Sequence, residues 1–118
     1  MIRIKSLIVL VFAAMFTASC LETGPKRFVI ADSKSYEASM FRQNCAICHG
    51  KEAEGKTLDD GTKVPNLREG PFKYNTDSQI YDHIANGGNG MVPFRSQLSE
   101  REIKMLVQFV QRDLRQGK

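Results

Sequence analysis

The chain has 118 residues, which is enough for one domain and too few for two separate hydrophobic cores. Hydrophobic residues make up 42% and charged residues 25%, with a mean hydropathy of −0.33, and this balance excludes a collagen-like repeat, a wholly disordered chain and a polytopic membrane protein. The formal net charge is +4, but residues 20–118 hold 15 basic and 13 acidic side chains, and a net charge of +2 is too small to predict nucleic-acid binding.

The N-terminus has the pattern of a secretory signal peptide. Arg3 and Lys5 precede an uncharged run, residues 6–21, which is shorter than the roughly 20 apolar residues of a membrane-spanning helix. The run reaches small residues directly before Cys20, a pattern that resembles the bacterial lipobox, in which this Cys receives a lipid. Simple cleavage, with Cys20 an incidental thiol, is the alternative. We predict a signal peptide over residues 1–19, export to the periplasm or cell envelope, and a lipid anchor at Cys20.

A tether is predicted over residues 20–32, because a Gly-Pro pair interrupts regular structure there, and the folded domain over residues 33–118. The one apolar patch of the tether, Phe28-Val29-Ile30, is expected to cover an edge of the domain. Ser35 is placed to cap the first helix of the domain, which is predicted from about Tyr36 to the first Cys of the motif that follows.

That motif is Cys45-Ala46-Ile47-Cys48-His49, the C-x-x-C-H pattern of c-type haem attachment. Each Cys sulfur adds to one vinyl group of the porphyrin, so two thioethers form. The adjoining His is thereby carried beneath the ring, where its imidazole reaches the iron. We predict one covalent haem c, held by Cys45 and Cys48, with His49 as the proximal ligand.

Three other uses of these residues fit the sequence less well. A thioredoxin-like C-x-x-C motif follows a strand, whereas a helix is predicted before Cys45. A zinc site would need both His49 and His83, which lack the usual H-x₃₋₅-H spacing. A disulfide between Cys45 and Cys48 leaves His49 without a role.

Residues 50–57 also match the phosphate-binding loop G-x-x-x-x-G-K-[ST]. That loop works between a strand and a helix, and no strand is predicted before Gly50. Two glutamates also stand where an anionic phosphate would lie, so we predict a polar loop and no nucleotide. Residues 50–75 as a whole show no apolar period, and we expect a loop that wraps the haem, without strands.

Two further helices are predicted from their capping boxes. One follows Thr76-Asp77-Ser78-Gln79 and ends at Asn86-Gly87. The other follows Ser99-Glu100-Arg101-Glu102, where Leu98 and Ile103 stand in the positions of a hydrophobic staple. It is predicted to reach near the C-terminus and to face the core with apolar residues at helical spacing. These are Ile103, Leu106, Val107, Val110 and Leu114.

The haem iron needs a second axial ligand, or an open position that would make it a catalyst or sensor. Met105 lies in the last helix beside the apolar stripe and is expected to pack in the core. His83 lies on the second predicted helix. Met91 lies in the glycine-rich segment 87–94, whose glycines allow the backbone to pass close to a flat ring. We predict Met91 as the distal ligand, with His83 as its main competitor.

Together these features resemble a class I cytochrome c of the small single-haem His/Met kind, over about residues 33–116. The resemblance rests on five elements. They are Phe41 four residues before the first Cys, the C-x-x-C-H motif, Val64-Pro65-Asn66-Leu67, the Met91 loop and a last helix carrying Phe109. It implies an all-α cytochrome c fold, in which about three to five short helices wrap around one covalent haem.

The resemblance also implies individual roles. The Pro65 carbonyl is offered to the proximal His49, and Phe41 of the first helix packs against Phe109 of the last. The chain departs from the family pattern in having Glu37 where Gly is common, which implies either a looser helix crossing or one shifted toward Ala38. It also has Met-Val-Pro in place of the usual Met-Pro.

A haem with both His and Met ligands has no open position for a substrate, so one-electron exchange is its expected chemistry. We predict an electron-transfer protein outside the cytoplasm that exchanges electrons with redox protein partners and is tethered to a membrane by Cys20. It is not predicted to be an enzyme. The alternatives are a haem sensor or peroxidase-like enzyme with a labile Met91, and a fixed cytochrome subunit of a larger oxidoreductase complex.

Overall fold

The computed structural model describes residues 26–117, so Cys20, the predicted signal peptide and the first part of the tether lie outside the described residues. Within that range the fold consists of four α-helices, a C-terminal π-helix and one small hairpin, which confirms the all-α prediction apart from the hairpin. The α-helices are α1 (Tyr36–Asn44), α2 (Ala46–His49), α3 (Asp77–Asn86) and α4 (Glu100–Gln108). Among these residues there is no helix of the length and apolar character needed to cross a bilayer.

The three longer helices begin where their caps predict. The Ser35 hydroxyl accepts a hydrogen bond from the Ala38 N–H, 3.2 Å away, at the start of α1. Both capping boxes have reciprocal hydrogen bonds, in which each side chain accepts from the backbone N–H of the other residue. Thr76 pairs with Gln79 at the start of α3, and Ser99 pairs with Glu102 at the start of α4. A cap of this kind stabilises a helix by about 1 kcal/mol, because it gives a partner to backbone N–H groups that the helix itself leaves unpaired.

The core forms where α1 crosses the C-terminal helices. The Phe41 and Phe109 rings lie 5.9 Å apart between centroids, as the resemblance implies, and Ala38 is fully buried beside them. The predicted apolar stripe of the last helix is buried along its whole length, which confirms its orientation. After Gln108, however, the helix continues as a π-helix over Phe109–Leu114, where the Arg115 N–H donates to the Val110 carbonyl.

The segment before α1 is packed onto this core. Phe28 meets Phe109 edge to face, with ring centroids 5.6 Å apart and planes at 80°, and Ile30 is fully buried. The apolar patch therefore covers an edge of the domain as expected. The packed region reaches back to Phe28, inside the segment 20–32 that is predicted as a tether.

A partly buried ion pair fastens this segment to the long loop. Arg68, which is 6% exposed, pairs with Glu52 at 2.9 Å and donates to the Phe28 carbonyl at 2.9 Å, while its Nε donates to the Glu52 carbonyl. The Glu52 carboxylate also accepts the backbone N–H groups of Ile30 and Ala31, both at 2.9 Å. We call this group, formed by Glu52, Arg68 and the backbone of residues 28–31, the clasp.

The prediction that residues 50–75 contain no strand is wrong at one place. Strands β1 (Lys56–Thr57) and β2 (Lys63–Val64) pair antiparallel, and the turn between them is closed by a hydrogen bond from the Leu58 N–H to the Thr62 carbonyl. Strands of two residues are too short for an alternating pattern to show in the sequence. The phosphate-loop match lacks its required setting, because α2 precedes Gly50 and β1 follows it.

Candidate functional site

A cavity of about 470 Å³ lies between α2, the loop after β2, and the segment that joins α3 to α4. All five residues predicted to bind the cofactor line it: Cys45, Cys48, His49, Pro65 and Met91. His83, the competing ligand, lines the same cavity. Met105 instead packs against the hydrophobic core and borders a separate surface groove. The fold therefore brings together residues that lie 46 positions apart in the chain, in a cavity of the size that proteins use for organic cofactors.

One helical turn sets the spacing of the two cysteines. In α2 the N–H groups of Cys48 and His49 both donate to the Cys45 carbonyl, at 3.1 and 2.9 Å. This turn brings Cys45, Cys48 and His49 to the cavity wall and leaves 74% of Ile47 exposed at its edge. Burial, with a smaller effect of the neighbouring Cys48, raises the pKa of Cys45 to about 12. Thioredoxin-like motifs instead depend on a Cys of lowered pKa, so this environment does not fit that use.

His49 is held as a neutral imidazole at the cavity wall. Burial lowers its pKa, the Pro65 carbonyl raises it by a smaller amount, and the nearby His83 lowers it further. Nδ1 of His49 is buried and, within residues 26–117, has no hydrogen-bond partner at normal length and angle. The Pro65 carbonyl therefore raises the pKa of the ring without forming a hydrogen bond of normal geometry. A neutral imidazole is the form that binds metals, and its second nitrogen usually faces a carbonyl or carboxylate. These residues therefore fit a haem.

Another part of the cavity wall is formed by the loop that carries Met91. The backbones of Gly88 and Met91 exchange two hydrogen bonds, at 2.9 and 3.0 Å, and close the loop. Gly87 has φ +71°, and a Cβ there would lie 2.5 Å from the Met91 carbonyl oxygen, so only glycine fits. The Asn89 side chain donates to the Tyr74 hydroxyl at 2.9 Å and fixes the loop to the cavity wall. Met91 is therefore half-buried on a loop that is closed by backbone hydrogen bonds and fixed to the cavity wall.

His83 packs against another residue of the cavity wall. Its ring lies against Tyr74, with centroids 4.4 Å apart and planes at 34°. Burial lowers the pKa of His83, the backbone at Gly87 raises it, and Lys73 lowers it. The stacking holds the imidazole at the wall beside the Met91 loop, and the geometry brings both candidate ligands to one cavity.

Sequence reasoning did not single out most of the cavity wall, including Phe72, Tyr74 and Arg115. Phe72 and Tyr74 lie in the aperiodic loop, where no pattern distinguishes them from their neighbours. Arg115 lies beyond the last helical turn, and its guanidinium carbon stands 3.8 Å from the centre of the Phe72 ring. A basic residue near a helix C-terminus is explained by the helix dipole alone, so the sequence carries no signal for its place in the cavity.

Residues 37–110 match the family model described as cytochrome c oxidase, cbb3-type, subunit III. The chain is 30% identical over 76 residues to the cbb3-type cytochrome c oxidase subunit CcoP of Azospirillum sp. (strain B510), covering 61% of this chain and 26% of that protein. It is 37% identical over 75 residues to subunit FixP of Azorhizobium caulinodans, covering 62% and 25%. The chain therefore spans about a quarter of the length of these two oxidase subunits.

The match to the chloroplastic cytochrome c6 of Chlamydomonas reinhardtii is longer. The two are 34% identical over 102 residues, which cover 83% of this chain and 66% of that protein. Among solved structures, the KustC0563 c-type cytochrome aligns with a TM-score of 0.55 and 27% identity, covering 62% of this chain and 90% of that one. A mutant of the same cytochrome aligns with a TM-score of 0.56.

Proposed function

The chain belongs to the class I c-type cytochromes, whose members carry covalently bound haem c, and from this premise we propose that it is an electron-transfer protein working outside the cytoplasm. The observation that carries the proposal is the convergence of Cys45, Cys48, His49 and Met91 on one cavity. Two thiols, an imidazole and a thioether form a donor set that would attach a haem and supply two ligands to its iron.

Each of these residues has a distinct task in the proposal. Cys45 and Cys48 form the two thioethers, and the turn of α2 fixes their spacing. His49 and Met91 would be the two protein ligands of the iron, with Pro65 acting on the His49 ring. The bound haem supplies the one-electron couple of its iron. Because both ligands stand on closed backbone structures, little has to move when the charge changes, and small rearrangement favours fast electron exchange.

Redox proteins are the proposed partners. Ile47 and Val92 border the cavity and are 74% and 59% exposed, so its edge presents apolar side chains to solvent. Exposed apolar groups around a cofactor form a surface on which a partner protein docks. Because full coordination leaves no open position on the iron, we propose no catalytic reaction for the chain itself.

A second candidate is a fixed subunit of a larger oxidoreductase complex. It is favoured by the family model and by the two oxidase subunits among the relatives. The longer match to cytochrome c6 favours the separate carrier. Membrane extraction in mild detergent tests this choice: co-purification with an oxidase supports the fixed subunit, and purification alone supports the carrier.

The distal ligand is tested by three matched variants. Met91→Ala should bind carbon monoxide when reduced, lose the weak far-red charge-transfer band of the sulfur–iron bond, and show a lower reduction potential, because a thioether favours Fe(II). His83→Ala and Met105→Ala should change none of these. A spectrum altered only by His83→Ala would assign the site to two histidines. Carbon monoxide binding by the unmodified reduced protein at neutral pH would support the sensor or peroxidase alternative.

The proposed anchor at Cys20 is tested separately. Cys20→Ser should move the protein from the membrane to the soluble fraction without changing its visible spectrum, because this Cys is not part of the haem motif. A Cys20→Ser protein that stays in the membrane fraction would contradict lipidation at that residue.

A further inference from the structure

Arg115 is an arginine of the cavity wall whose contacts are incomplete. Its guanidinium lies over the Phe72 ring, and its Nη1 donates to the Tyr74 carbonyl at 2.9 Å and to the Gln111 side chain at 3.1 Å. Its Nε is buried and has no hydrogen-bond partner among residues 26–117. These contacts hold the charged group at the cavity wall, and they leave Nη2 without a hydrogen bond to any of residues 26–117.

The charge of Arg115 is also uncompensated by the described part of the chain. Within residues 26–117 no carboxylate pairs with it, whereas the other arginine with a deeply placed guanidinium, Arg68, pairs with Glu52. Burial lowers the pKa of Arg115, and no neighbouring anion offsets that effect. A partly desolvated cation without a counter-ion is costly, so an anion is expected beside it.

The cavity supplies an anion as soon as it holds its cofactor, because haem c carries two propionate carboxylates in addition to the edge bound by Cys45 and Cys48. Arginine matches a carboxylate particularly well, since its planar fork presents parallel N–H donors. We propose that Arg115 is the counter-ion of a haem propionate, and that its charge raises the reduction potential by favouring the less positive Fe(II) state. The inference rests on haem in this cavity and is independent of the identity of the distal ligand.

The π-helix explains how Arg115 comes to occupy this position. The bond from the Arg115 N–H to the Val110 carbonyl spans five residues, so the last turn holds one residue more than an α-helical turn. Such turns recur at functional sites, because the extra residue re-aims the side chains that follow. Here the turn buries Leu114 in the core while Arg115 lines the cavity.

The reduction potential of holoprotein variants tests the proposal. Arg115→Gln should lower the equilibrium constant for reduction about tenfold, which is about 59 mV for one electron. Arg112→Gln removes the same charge from a 70% exposed side chain three residues earlier, and should change that constant less than twofold. Arg115→Lys should restore part of the loss, because it keeps the charge without the fork.

A second readout follows the propionate directly. In resonance Raman spectra the propionate bending bands should shift in Arg115→Gln and stay in place in Arg112→Gln. Equal potentials in the two Gln variants, together with unshifted propionate bands, would overturn the proposal. If the iron of a Met91→Ala protein still has a distal ligand, Met91 is not that ligand. That outcome would overturn the assignment under the proposed function and would leave the result for Arg115 unaffected.

Discussion

The clasp and the cavity are two polar regions of the same small domain. They differ in how many of their polar groups form hydrogen bonds with other described residues of the chain. In the clasp, Arg68 bonds through all its nitrogens to groups of the chain itself, and Glu52 accepts from it and from two backbone N–H groups. In the cavity, His49 and Arg115 each keep a buried nitrogen that has no hydrogen-bond partner in the described part of the chain. Both regions draw on the loop of residues 50–75.

The difference separates structural polar groups from those that serve a ligand. More than nine in ten buried polar groups in folded proteins are hydrogen-bonded, so these two nitrogens show that the described residues satisfy the polar groups of the cavity less fully than those of the clasp. The clasp needs no cofactor, because its charges and donors balance within the chain. We therefore expect changes in the clasp to affect stability alone, and changes in the cavity to affect the haem.

The largest effect is expected on removing the attachment of the haem. A Cys45→Ser/Cys48→Ser protein should lose the covalent haem and most of its cooperative structure, because so small a domain buries little apolar surface without the cofactor. Circular dichroism and thermal melting measure the loss, and acid–organic extraction of the unmodified protein should leave the haem on the polypeptide. A double variant with native helical content and a cooperative melt would show that the clasp and the helical core are sufficient alone.

An intermediate effect is expected in the clasp. Arg68→Met should lower the free energy of unfolding by about 2–4 kcal/mol, because it leaves the Glu52 carboxylate without its buried partner, an effect reduced by the 35% exposure of that carboxylate. The visible spectrum and the reduction potential should stay unchanged. Urea unfolding of the holoprotein gives the free energy.

The control for the clasp is an exposed pair of the same chemistry. Lys104→Met breaks the pair between Lys104 and Glu100, whose side chains are 65% and 69% exposed, and should leave the free energy of unfolding nearly unchanged because solvent screens the pair. Equal losses in Arg68→Met and Lys104→Met, or a changed haem spectrum in Arg68→Met, would contradict the division between the two regions.

The smallest effect is expected at Glu102, which lies outside both regions. Hydrogen bonds from the Tyr36 hydroxyl, at 2.5 Å, and from Ser99 lower the pKa of Glu102 to about 2. Its stabilising contribution is therefore complete above the ordinary pKa of about 4.5 and is lost as the pH falls toward 2. Unfolding at pH 7 and pH 3 should show a stability difference between the unmodified protein and Glu102→Gln that shrinks at the lower pH. A difference that grows on acidification would contradict this assignment.

The helices could be predicted because their signals are local. Caps at Ser35, Thr76 and Ser99 and the apolar stripe of α4 each lie within a few residues of the structure they determine. The convergence on a haem cavity was predicted from the C-x-x-C-H motif and the family resemblance. Neither kind of signal exists for the clasp, whose two charged residues are 16 positions apart and whose backbone contact at Phe28 is 40 positions from Arg68.

The π-helix and the position of Arg115 at the cavity could not be predicted, for a different reason. Apolar residues recur between Ile103 and Leu114 at a spacing that fits an α-helix, and a single additional residue in the last turn leaves that spacing nearly unchanged. The packing of Phe109 against both Phe28 and Phe41 fixes the helix at this point. Only tertiary contacts therefore distinguish an α-helical end from the π-helical end observed.

That extra residue makes the direction of the chain end depend on the geometry of the last turn. An α-helix advances by about 100° for each residue and a π-helix by less, so rewinding Phe109–Leu114 as an α-helix, with every residue kept, would rotate the later side chains by about that angle. Arg115 would then leave the cavity wall even though no residue facing the haem had been exchanged. In this segment the backbone hydrogen-bond pattern, more than the identity of any one side chain, decides which side chain reaches the cofactor.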